Sequence, residues 1–253
     1  MRARRRQRKK RRARWTESRR PTRPRKPVND QTREAAGPIP AAIARPLLRG
    51  VLHHVAFWVA LGAGVLLVAA ADGGRRRLAS AVFAASVAAC FGASALYHRV
   101  TWRPNVRLWM RRIDHAGVYL MIAGTYTPVS LLALHGAWRP AVLAVVWGGA
   151  LAAIAIKFLW VTAPKWIAAA LGIALGWVAI VALPELIGNL PATAVALLVA
   201  GGLAYTAGAI VYARGRPDPV PAVFGYHEVF HAATIVGVAC QYTAIAFFIV
   251  GVG

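Results

Sequence analysis

The chain has 253 residues, 58% of them apolar, with a mean hydropathy of +0.51 and a formal charge of +23. This composition excludes an ordinary water-soluble domain, and the length is enough for about seven membrane spans of ~20 residues. The two cysteines, Cys90 and Cys240, fall inside apolar runs and read as small core residues rather than a disulfide framework.

The positive charge is concentrated at the start: of 31 Lys and Arg, 15 lie in residues 1–26. The opening MRARRRQRKKRRARW, followed by RRPTRPRKP, has no apolar run leading to a cleavage site, so it does not read as a secretory signal. Its Arg and Pro content predicts a disordered, basic cytoplasmic tail over residues 1–44, lying on anionic lipid headgroups. Charge of this kind also suits nucleic acid. No reader fold accompanies it, so no specific nucleic acid is expected. Ile39-Pro40 and Arg45-Pro46 break the chain before the first span, and residues 45–253 form the predicted membrane domain.

Hydropathy predicts spans at about 50–71, 78–98, 113–134, 140–160, 166–183, 190–212 and 226–251. The fold class is therefore all-α, a seven-transmembrane-helix bundle. Small residues, as in AFWVALGAGVLL and AGGLAYTAGAI, let the helices approach closely in lipid. The excess of basic residues predicts the N-terminus inside. Arg99, Arg103, Arg107, Arg111 and Arg112 share that side with Lys157, Lys165, Arg214 and Arg216. Glu185 lies in a fifth–sixth loop without basic residues, and Arg75, Arg76 and Arg77 are the exception. Trp102, Trp109, Trp160 and Trp166 are expected at the inner interface.

This topology brings three distant polar clusters to one depth. His98 ends the second span with Ser94 one turn earlier, Asp114 and His115 open the third, and His227 and His231 open the seventh. Ionisable groups inside a span are expensive, and their agreement in depth points to function. Three neutral imidazoles are a preferred ligand set for Zn²⁺ and leave a fourth position for water of pKa about 7. His98, His227 and His231 are the expected ligands. Asp114 is expected either to hold that water as general base or to orient one of the ligands, and Ser94 to donate to a developing oxyanion. His115, adjacent to Asp114, is expected to point elsewhere. His53 and His54 are expected at the interface, and His135 lies at the far end of the third span.

Residues 227–231 also fit H-E-x-x-H, in which a glutamate activates a metal-bound water in zinc proteases. No acidic residue remains downstream to complete such a ligand set. SALYHR (Ser94–Arg99), RRIDHAGVYLMIAGTYTP (Arg111–Pro128) and GYHEVFHAATIVG (Gly225–Gly237) together resemble the hemolysin III branch of the progestin and adipoQ receptor family. The likeness covers roughly residues 48–252 and leaves out the Arg-rich tail. It implies a seven-helix bundle with a cytoplasmic N-terminus, zinc on His98, His227 and His231, and Ser94 and Asp114 beside it. The family is similar to alkaline ceramidases, which implies hydrolysis of a lipid amide. The hemolysin name of bacterial members implies membrane lysis. The expected setting is the plasma membrane of a bacterium, with membrane lipids as partners. Two functions stand open: a zinc-dependent lipid amidohydrolase, or a receptor-like or lytic protein in which zinc is structural. A pore is disfavoured, because the polar residues cluster at one depth instead of lining a path.

Overall fold

The computed structural model describes residues 46–252. The expected tail, residues 1–44, lies outside them. Seven helices are long and apolar enough to cross a membrane: α1 (Val51–Ala70), α2 (Gly74–Arg99), α3 (Pro104–Ala133), α4 (Trp138–Leu159), α5 (Lys165–Asn189), α6 (Ala192–Arg214) and α7 (Tyr226–Val250). Among the described residues β-pairing is limited to one isolated bridge, Val220 to Phe224. The chain is an all-α, multi-pass membrane protein.

Two helices start earlier than hydropathy indicates. Arginine is a good helix former, so α2 takes in Arg75–Arg77 and α3 takes in Arg107, Arg111 and Arg112. Pro104 opens α3 where its missing N–H is harmless. The stretch PELIGN, expected in a loop, is the last part of α5.

α5 is not continuous. Its first α-helical part ends at Gly176 and a 3₁₀ segment, Val178–Ala182, follows. Backbone groups released by such a break must be satisfied inside the protein. The Tyr126 hydroxyl does so, donating to the Gly176 carbonyl (2.7 Å) and accepting from the Ala179 N–H (2.8 Å). Trp177 Nε1 donates to Thr206 Oγ1 (2.9 Å), tying the break to α6.

α3 is the central helix: 67% of its apolar window is buried, against 17% for α1 and α6 and 11% for α5. Val55, Trp58 and Val59 on α1, Leu203 on α6 and Phe247 on α7 are exposed. Apolar side chains on the outside are what a bilayer as solvent permits. The core includes Phe83 and Phe91 from α2, Tyr119 and Met121 from α3, Val146 from α4 and Ile245 from α7.

One end of the bundle is laced together. The Leu47 and Leu48 N–H groups donate to the carbonyls of Ala222 and Val223 (3.0 and 3.1 Å), joining the lead-ins of α1 and α7. Gly50 then turns into α1 with φ +77°, where a Cβ would stand 2.6 Å from His98 Cβ. Glycine at this position lets α1 begin directly against the end of α2. Trp109, Trp160 and Trp166 are exposed at the same end. Lys157, counted from sequence with the charges on the inner side, is turned into the bundle and buried.

Gly215, which ends α6, is also left-handed with φ +66°, but has open space where a Cβ would stand. Gly50→Ala is therefore expected to lower stability by roughly 1–3 kcal/mol, and Gly215→Ala by visibly less. Thermal denaturation of the two variants in detergent checks this; equal losses would show that backbone conformation alone matters.

Candidate metal centre

Three helix ends deliver the cluster. α2 closes with His98 in its last turn, and Trp102 Nε1 folds back to the Leu96 carbonyl (2.9 Å) to satisfy that end. α3 brings Asp114 in its third turn. α7 opens at Gly225 and places His227 and His231 four residues apart on one face. The ligand atoms of His98, His227 and His231 all lie within 4.8 Å of one another. Nε2 of His98 and Nε2 of His227 are 3.1 Å apart. Asp114 Oδ2 stands 3.8 Å from His98 Nε2. Ser94 Oγ is buried beside the Asp114 carboxyl. All five residues singled out from sequence thus converge.

The donor set fits a zinc ion. Nitrogens about 2.0 Å from a tetrahedral ion are about 3.3 Å apart, close to the His98–His227 separation. Three imidazoles without a thiolate leave one position open.

Further residues join that sequence reasoning set aside. His53 is buried, not interfacial, and its ring stacks on His231 with centroids 3.7 Å apart and planes 10° from parallel. His54 is exposed, as expected. His115 and Lys157 line the same cavity as Asp114 and the α7 histidines. A signal for His53 existed: Ala56 and Gly64, small residues on its own face of α1, share its burial. Lys157 likewise continues the buried stripe Val142, Val146, Ala150, Ala153 of α4. At the opposite end of α3, the His135 backbone N–H donates to Glu185, and Asn189 Nδ2 donates to the Ala133 carbonyl (3.1 Å). His135 is indeed remote from the cluster.

The cavity measures about 340 Å³ and runs from the histidines between α3, α5, α6 and α7. Its walls are mostly apolar, including Val118, Ile122, Leu183, Val195 and Leu198. Its size falls in the range of small-molecule pockets, about 300–1,000 Å³.

Glu228 has a different task from the one that H-E-x-x-H suggests. It is fully buried, and one oxygen accepts the Gly225 N–H (2.9 Å), capping α7. The other pairs with Arg49 Nε (2.5 Å). Both oxygens are thus engaged in fixing the start of α7 against the lead-in of α1. Asp218 Oδ1 accepts the next N–H, that of Tyr226 (2.7 Å).

Among the described residues, seven spans define a multi-pass membrane protein, and three of its histidines lie close enough together to hold a metal ion. Similarity to known proteins narrows the class. The model of the haemolysin-III related family matches residues 41–242, and the chain belongs to that family, a part of the progestin and adipoQ receptor superfamily. It is 28% identical over 213 residues to a protein named Hemolysin-3 homolog from Bacillus subtilis (strain 168), covering 83% of this chain and 97% of the relative. It is 31% identical over 172 residues to Hemolysin-3 of Bacillus cereus, covering 68% of this chain and 75% of the relative.

If Glu228 caps and pairs, Glu228→Gln keeps most of the fold because an amide oxygen still accepts from Gly225 or Arg49. Glu228→Ala leaves both donors unmet and is expected to cost about 1–3 kcal/mol. Melting temperatures in detergent read the difference. Wild-type stability in the alanine variant would contradict the structural role.

Proposed function

We propose that the protein is a zinc-dependent hydrolase of a lipid amide, embedded in a bacterial plasma membrane with its site near the cytoplasmic face. The observation that carries this reading is the convergence of three imidazoles with Asp114 at one end of an apolar cavity. His98, His227 and His231 would hold the ion. A zinc ion held there would supply a water that ionises near neutrality and a positive charge to polarise a carbonyl. Asp114 Oδ2, beside His98, takes the proton as water oxygen bonds to the amide carbon. It returns that proton to the amine as the C–N bond breaks. Ser94 Oγ–H is placed to donate to the carbonyl oxygen as charge develops there. The cavity receives the acyl chain and keeps the site dry. The amide linkage is supported by the family's likeness to alkaline ceramidases. The cytoplasmic side is supported by the arginines that crowd the loop after His98.

A second reading draws on the names of the two relatives, both hemolysins. In it the protein perturbs membranes and zinc only braces α2 against α7. Asp114→Asn separates the two. The hydrolase reading expects full zinc content with acyl-amide turnover reduced by about 10²-fold or more. A lytic protein with structural zinc keeps its lysis in that variant. A zinc-loaded wild type that turns over no member of a broad acyl-amide panel would sink the catalytic reading.

A further inference from the structure

The proposed chemistry gives His53 no task. It is 3% exposed, in the first turn of α1, where Gly50 lets that helix start against the end of α2. Its ring meets Phe91 of α2, with centroids 4.8 Å apart and planes tilted by 45°, and lies flat on His231 of α7. Flat contact is peculiar to this pair. The rings of His98, His227 and Phe230 stand at 62°, 58° and 55° to that of His231. A ligating histidine ordinarily donates its second ring N–H to a carboxylate or a carbonyl, which fixes the direction of the lone pair on the ion. No such bond reaches the His231 ring among the described residues, and its Nδ1 is buried without a partner. Both ring nitrogens of His53 are likewise buried without a hydrogen-bond partner, so it is the face of the ring that His53 offers. A ring that ligates a cation loses electron density, and the electron-rich face of a neutral aromatic neighbour attracts it. The stack therefore strengthens when an ion is held.

We infer that His53 is a positioning residue for the metal centre: the flat contact of its ring with His231 sets the direction of the His231 lone pair and tightens the hold on the ion, without His53 ligating it. An imidazole binds a metal in the plane of its ring. The two planes are 10° from parallel with centroids 3.7 Å apart, so an ion on His231 lies out of the His53 plane. The inference rests on the reading of the cluster as a metal site and is independent of the hydrolase chemistry.

The test uses the purified full chain in phosphatidylcholine nanodiscs, stripped of metal. It is titrated with Zn²⁺ against a competing chelator, and separately with Co²⁺ read by its visible absorption. His53→Leu, which fills the space without an aromatic face, should weaken Zn²⁺ binding about tenfold and shift the Co²⁺ bands. His53→Phe, which keeps the face and has no ring nitrogen, should bind Zn²⁺ as the wild type does and restore its bands. His54→Leu, at the exposed neighbour, should match the wild type throughout. Equal affinity in wild type and His53→Leu overturns the inference and leaves the metal reading intact. An equal loss in the Leu and Phe variants would make His53 a ligand through nitrogen and also overturn it. Melting temperatures of the metal-free variants are read alongside. A weakened His53→Leu with wild-type Co²⁺ bands and a lowered metal-free melting temperature would make His53 a packing residue only, again overturning the inference. A wild type that binds neither ion removes the metal reading and the inference together.

Discussion

The structure depends on one constraint: a polar group placed inside a bilayer must find its partners within the protein. Imidazoles, a carboxylate and a buried lysine all lie at one end of this bundle, and three helix termini are brought together to accommodate them. Gly50 removes the side chain that would hold α1 away from His98. Glu228 and Arg49 lock the first turn of α7 to the lead-in of α1. His227 lies in that same turn and His231 one turn on, and both are aimed as a consequence. The cluster is therefore set by backbone packing before any metal contributes.

The same constraint shapes the cavity. α5 can leave the regular helix at Gly176 because the Tyr126 hydroxyl and Thr206 take up the released polar groups. Leu183 beyond the break, with Val195 and Leu198 of α6, then lines a chamber that reaches back to the histidines. Apolar and polar groups thus fall on different walls of the cavity. α5 and α6 supply an apolar surface, while α2, α3 and α7 supply Ser94, Asp114, His227 and His231. Lys157 and His115 line the same cavity.

Much of this was legible in the sequence because depth in a membrane is encoded by distance along an apolar run. His98, Asp114, His227 and His231 each sit near a span end, and alternating topology puts those ends on one side. Direction around a helix axis is harder to read. By depth alone His53 reads as interfacial and Lys157 as one more inner-side charge; their azimuth turns both into the bundle. The small-residue faces of Ala56 and Gly64, and of Ala150 and Ala153, held that information. Helix starts were misjudged at α2 and α3 because arginine continues a helix past the apolar boundary. Glu228 shows a different limit. H-E-x-x-H and a capping glutamate look alike locally, and the partner that separates them, Arg49, is 179 residues away.

The most direct test of the central claim is the metal content of the purified protein, measured for wild type beside His227→Ala/His231→Ala. About one zinc per chain in wild type and none in the double variant is the predicted result. A wild type that holds no zinc, even when zinc is supplied during purification, would contradict it and leave three converging histidines without their ion.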